Sequence, residues 1–258
     1  MTRSKTIYYQ SYSDDVIVSK NQSAKLKRNH RWLHHNLVYR FLSQTFSYLV
    51  VILGFIYCYG WLHLKFKNLA KLRHNNQKGG IVYCNHTQPL GDALLPFLVA
   101  FPKRPYIICD QANLGIPIIG KLLTFAGALV IPDGKTQFSK FNQAVKYHLQ
   151  HNELIFIYPE AHVWPYFTKI RPFVEASFHY SATLKVPSFS LTTTYQKKRC
   201  YRRPQMISYL DGPFYVTREL KVKQNQRKLY HDIRQAMIGR SRASNFNYIN
   251  YQQRRHNK

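Results

Sequence analysis

The stretch Ile81-Val-Tyr-Cys-Asn-His-Thr-Gln-Pro-Leu-Gly-Asp92 decides the fold. Its first four residues are a short apolar, β-prone run, punctuated on the left by Gly79-Gly80. The pattern predicts a buried strand over 81–84 that delivers Asn85 and His86 to its C-terminal end. In open α/β sheets, ligands bind outside the carboxyl ends of the strands. Gln88-Pro89-Leu90-Gly91 has Pro second and Gly fourth, as a type I turn prefers. Six residues fully extended span roughly 20 Å, so Asp92 meets His86 only if the chain doubles back there. Bent in this way, Asp92 accepts a hydrogen bond from one imidazole nitrogen, leaves the other free as a base, and stabilises the imidazolium that forms. The plainer reading of the same residues is an N-cap at Asp92 and a satisfied strand-end histidine.

A second run, Leu154-Ile-Phe-Ile-Tyr158, is continuously apolar, as a central strand buried on both faces is. It ends in Pro159-Glu160-Ala161-His162, which puts another carboxylate and another histidine at the same topological position as His86. Further strands are expected at 106–109, 128–131, 189–195 and 206–210. Helices are expected at 93–100, after Gly115, at 138–152, near 175–184 and from 217. This alternation predicts one α/β domain over 65–240, a mixed, largely parallel sheet with helices on both faces. Residues 1–24 are polar and expected to be loosely ordered, and 241–258 form a basic tail. His148 and His151 have i,i+3 spacing, yet no third ligand accompanies them. A solvated helix face is therefore the expectation, and no metal is. No glycine-rich phosphate loop is present.

Lys and Arg total 38 against 11 acids, a formal charge of +27, which points to polyanionic partners. The first 40 residues lack an early apolar core, so no signal peptide is expected. Leu33, Leu37 and Phe41 lie four apart, predicting that a helix begins near Lys25. Residues 41–64 then hold no formally charged side chain. As a helix they would run about 36 Å against a hydrocarbon core of about 30 Å. Both flanks are basic, where a spanning helix favours asymmetry, so 25–64 reads as a membrane-associated helical region that lies in or dips into one leaflet. A true span and a buried core helix stay as alternatives. The four cysteines (58, 84, 109 and 200) lie far apart without metal-ligand spacing and are expected to be reduced and mostly buried. Cys84 and His86 share a strand face, which raises a Cys-His alternative; the apolar run around Cys84 argues against it by raising the thiol pKa.

With these pieces placed, the chain resembles the glycerolipid acyltransferase superfamily, of the 1-acylglycerol-3-phosphate acyltransferase type. Four ordered blocks carry the resemblance across roughly residues 60–240. Asn85-His86 with Asp92 resembles the family's NH-x4-D signature, and Pro117-Ile-Ile-Gly120 through Ile131 resembles its second block. Tyr158-Pro159-Glu160 resembles the phenylalanine-proline-glutamate-glycine block, and Val186-Pro187 the closing valine-proline block. The chain departs from the pattern in places. Five residues separate His86 from Asp92, Asp133 stands at the usual arginine, and Ala161 stands at the usual glycine.

The resemblance implies that His86 is the base, Asp92 its partner and Glu160 an acceptor-binding residue; Asn85, Thr87 and His162 beside them are expected to bind substrate. It implies an acyl thioester co-substrate, on an acyl carrier protein or coenzyme A, with no cofactor. The acceptor would be a hydroxyl of a lysoglycerolipid, in phospholipid biosynthesis. The expected place is the cytoplasmic face of the membrane, with anionic lipids as partners and no nucleic acid. Lys169 and Arg171 follow Glu160, and alternation puts them on one face. They are expected to cradle an acceptor phosphate, unless the acceptor carries none. Two rivals remain: a catalytically silent lipid-binding relative, and a basic nucleic-acid-binding protein with interleaved tyrosines.

Overall fold

Short apolar runs become strands, and the amphipathic stretches between them become helices. The computed structural model describes residues 5–17, 24–74, 79–199 and 202–254; Lys78, Cys200 and 255–258 fall outside it. The first half holds β1 (Lys5–Tyr9), α1 (Leu37–Gly54), β2 (Lys65–Lys67), α2 (Ala70–His74), β3 (Gly80–Cys84), α3 (Gly91–Ala100), β4 (Pro105–Cys109), α4 (Ile119–Leu123) and β5 (Ala128–Val130). The second holds α5 (Lys135–Gln150), β6 (Leu154–Ile157), α6 (His179–Leu184), β7 (Ser188–Gln196), β8 (Gln205–Phe214), α7 (Val222–Ser241) and β9 (Ile249–Gln253).

Seven strands form one sheet in the order β2-β8-β7-β3-β6-β4-β5. All neighbours are parallel except β7 and β8. β3 lies at the centre between β7 and β6, and successive side chains alternate between its faces. Ile81 and Tyr83 pack with Phe141 and Val145 of α5 and with Leu229 and Ile233 of α7. Val82 and Cys84 turn the other way, onto Leu72 of α2 and Val99 of α3. A fully buried Ile, Val or Phe contributes about 1.5–3 kcal/mol, so the two unbroken apolar runs take the centre. The mixed, largely parallel sheet with helices on both faces is the architecture found.

Three local expectations are corrected. The helix expected from about residue 25 starts only at Leu37, where the Asn36 side chain accepts a hydrogen bond from Tyr39 N (3.1 Å). Residues 24–36 pack along the domain instead; Trp32 is buried and its indole donates to Val130 O (2.9 Å). That long-range contact outweighs local helix propensity. Strands also form near both termini, in segments expected to be a loose stretch and a polar tail: β1 pairs in parallel with β9, Lys5 opposite Ile249. Tyr9 and Tyr251 clamp Trp164 between them, with ring centroids 4.7 and 5.1 Å away. Finally, His148 is buried rather than solvated, stacked on Tyr106 (3.6 Å) with Nδ1 2.5 Å from Glu153 Oε2.

α1 runs on without a break into a π-helical turn, Phe55–Trp61. Together they make one apolar helix, Leu37–Trp61, long enough to cross a membrane and mostly exposed. Its inner side packs on α3 through Cys58, Leu94, Leu95 and Leu98.

Candidate active site

β3 ends at Cys84, and the next residues are held by buried hydrogen bonds rather than by the sheet ladder. The Asn85 amide replaces the ladder: Nδ2 donates to Thr193 O (3.0 Å) and Oδ1 accepts from Thr193 N (2.8 Å). Thr87 Oγ1 and Gln88 Nε2 both meet the Tyr195 hydroxyl of β7 (2.8 and 3.2 Å). The chain turns at 89–90 and enters α3 at Gly91. A Cβ at Gly91 would lie 2.9 Å from Gln88 Cβ and 3.1 Å from Leu62 Cδ1, so the tight return needs glycine. Asp92, 1% exposed, comes back to the loop. Its Oδ2 accepts from His86 Nδ1 (2.8 Å), Thr87 N (2.7 Å) and Gln88 N (2.8 Å). The carboxylate therefore fixes Nδ1 as the donor and leaves Nε2 with a lone pair to act as base. The fifth intervening residue is absorbed by the turn, and the pair forms all the same.

The end of β6 supports this loop from the side. The Tyr158 ring lies 4.5 Å from the His86 imidazole, and its hydroxyl donates to Asp92 O (2.5 Å). Trp164 N donates to His86 O (3.0 Å) and Tyr166 N to Thr87 O (2.9 Å). Glu160, 4% exposed, accepts from His86 N (3.2 Å) through Oε2 and from Arg171 N (3.0 Å) through Oε1. Arg171 Nη2 donates to Glu160 Oε2 (2.9 Å) and to His162 O, and Nη1 donates to Tyr12 O (3.3 Å). The Lys169–Arg171 cradle is thereby corrected. Lys169 is exposed, whereas Arg171 is 1% exposed and lies over the Trp164 ring, because the buried Glu160, with the carbonyls of Tyr12 and His162, offsets its desolvation. His162 is half-exposed and faces Asp15 (4.0 Å).

Residues 63–193, just over half of the chain, match the family described as Acyltransferase. The chain belongs to the acyltransferase family. A solved structure similar to it is the 1-acyl-sn-glycerophosphate (LPA) acyltransferase PlsC from Thermotoga maritima, with a TM-score of 0.55 and 13% identity. The match covers 82% of this chain and 85% of that one, and at such identity it shows a shared fold. No curated protein matches in sequence.

In this acyltransferase, Ala161 at the family's glycine position has φ +64°, the left-handed region where glycine is at ease. Asp133, at the usual arginine, is exposed between β5 and α5. Cys84 is buried and its Sγ–H faces Val82 O (3.8 Å); burial drives the thiol well above its ordinary pKa, with the Asp92 charge adding to it. That removes the Cys-His alternative at neutral pH. Burial likewise pushes Cys58 and Cys109 up to about 12. Among the described residues, no group of three or more His, Cys, Asp or Glu could hold a metal ion.

Sequence reasoning missed Gln88, Tyr158 and Tyr195, although Tyr158 directly precedes Pro159-Glu160. It also missed an apolar groove of about 680 Å³ between the membrane-length helix and α3, lined by Leu53, Ile56, Trp61, Leu90 and Leu94 among others. Leu90 belongs to the loop between His86 and Asp92, so the groove shares a residue with that loop. Arg203 stacks on Trp61 (3.9 Å) at this edge. Burial raises the neighbouring Tyr166 phenol, and the Gln88 hydrogen bond and the Arg203 charge oppose it.

Proposed function

We propose that this acyltransferase moves a fatty acyl group from a thioester, on an acyl carrier protein or coenzyme A, to a hydroxyl of a lysoglycerolipid. The observation that carries the reading is the His86–Asp92 pair just past the C-terminal end of β3, in a loop whose Leu90 lines an apolar groove. His86 Nε2 takes the proton of the acceptor hydroxyl as its oxygen attacks the thioester carbonyl. The tetrahedral intermediate then collapses, the C–S bond breaks, and the thiolate takes the proton back from the imidazolium. An ester and a free thiol result. Asp92 keeps the imidazole in the right tautomer and stabilises its charged form. Asn85, Thr87 and Glu160 hold the loop that aims His86, and the groove takes the acyl chain.

The mostly exposed apolar helix supports work at a membrane surface, which we place on the cytoplasmic face. With Arg171 committed to Glu160, the cation we assign to an acceptor phosphate is Arg203, at the groove edge. The test is a screen of lysolipid acceptors with a labelled acyl thioester. His86→Ala should stay folded and lose about 10²–10⁴ in rate, and Asp92→Asn should lose less. Arg203→Gln should raise KM for lysophosphatidic acid and spare an uncharged lysolipid. Turnover by His86→Ala at the wild-type rate would remove the mechanism.

A further inference from the structure

A second cavity, about 800 Å³, lies at the other end of the sheet. It is lined by Tyr106 near the start of β4 and Ala128 at the start of β5, whereas His86 follows the end of β3. The parallel pairing of β4, β5, β6 and β3 puts these at opposite edges, so the cavity is no part of the dyad site. Its volume is that of a small-molecule site. Four cations line it: Arg31, Arg40, Lys103 and Arg104. One carboxylate lines it, Glu153, and that is engaged by His148 Nδ1 (2.5 Å). Two chain stretches, 31–40 and 103–104, thus bring positive charge to one space, with Lys103 Nζ also donating to Asn152 O (3.0 Å).

The details describe an anion's surroundings. The first turn of α1 enters the lining with Tyr39 and Arg40 and contains no acidic residue. A helix N-terminus carries partial positive charge, so cations placed there are unfavourable without a counter-ion. Arg104 is tied through Nη2 to Phe125 O (2.9 Å), yet its buried Nε has no hydrogen-bond partner. Buried polar atoms in native proteins are normally paired, and a phosphate supplies several strong acceptors. His34, stacked on Tyr39 (3.9 Å), senses the field: burial lowers its pKa, and Arg104, Arg31 and His35 lower it further against a backbone hydrogen bond. At the rim stand Leu37 and Phe41, 77% and 70% exposed, where the apolar face of α1 begins.

From this geometry we infer that the cavity binds a phosphate-bearing anion, and that the apolar rim selects one attached to acyl chains, an anionic phospholipid whose tails follow α1. The site stands apart from the acyl-transfer reading and does not depend on it.

The full chain in neutral detergent can be titrated calorimetrically with short-chain phosphatidylglycerol, short-chain phosphatidylcholine and inorganic phosphate. Arg31 and Arg40 are both exposed, so Arg31→Gln/Arg40→Gln should keep the wild-type melting temperature. It should lose roughly thirtyfold in phosphatidylglycerol affinity. Arg218→Gln/Arg242→Gln removes the same charge outside the lining and should change affinity by less than about twofold. Competition by inorganic phosphate would mean that the phosphate suffices; phosphatidylglycerol binding without such competition would mean that the lipid is the source. Both outcomes support the site. Equal losses in the two double variants, equal binding of phosphatidylcholine, or no binding of either anion would overturn it and leave only diffuse surface charge.

Discussion

Ala161 pays a conformational cost that the family's glycine avoids. A residue with a Cβ in the left-handed region costs about 1–2 kcal/mol, and Ala161 holds φ +64° between Glu160 and His162. Ala161→Gly should therefore raise the melting temperature without altering acyl transfer; a lower value would show that the methyl packs usefully. Ten residues on, Arg171 shows how burial changes a side chain's role. Its guanidinium is spent on Glu160, Tyr12 O and His162 O. Arg171→Ala leaves the Glu160 carboxylate buried without its cation, and breaking such a pair costs about 3–5 kcal/mol. Chemical denaturation should register that loss, whereas an effect confined to acceptor KM would return Arg171 to the binding site.

At the level of elements, β1 and β9 pair near the chain's two ends, over the segment that braces the His86–Asp92 loop. Tyr9 packs on Trp164, and Trp164 N donates to His86 O. Deleting residues 1–10 should lower kcat between about tenfold and a hundredfold, because small misplacements of a base are expensive. Hydrogen exchange should quicken at the Trp164 and Tyr166 amides; unchanged exchange would show that the brace is independent of β1. The long apolar helix makes a separate claim. Leu49, Ile52 and Ile56 are exposed on it, and each apolar side chain transferred to lipid contributes about 1.5–3 kcal/mol. Replacing the three by Gln should release the protein from neutral vesicles, while molar salt should leave wild type bound. Release of wild type by salt alone would mean that charge, not burial, holds it there.

For the molecule as a whole, charge sets the response to acid. The net charge of +27 already favours expansion, and 12 histidines add to it as pH falls. His30 and His34 have lowered pKa values, chiefly from burial, with His34 opposing His30 and Arg104 and Arg31 opposing His34. The unfolded chain therefore takes up these protons first, at about pH 6.5, and stability falls as pH drops below that value. Melting temperature should decline between pH 7 and 5, and His30→Gln/His34→Gln should flatten the decline. An unaltered slope in the double variant would place the acid sensitivity elsewhere.

The two apolar runs at 81–84 and 154–158, the turn between His86 and Asp92 and the order of the four blocks were legible in the sequence alone. Each depends on residues close together in the chain, where spacing limits geometry strongly. The partner of Glu160, the delayed start of α1, the β1–β9 pairing and the cation-lined cavity were decided only by tertiary structure. Alternation placed Lys169 and Arg171 on one face, but it could not say that a buried carboxylate would draw in one and leave the other in water. Nor could local propensity show that Trp32 would find Val130 O, or that ends almost the full chain length apart would pair. Such contacts bring together segments whose sequences carry no trace of one another, and their energy exists only after the chain has folded.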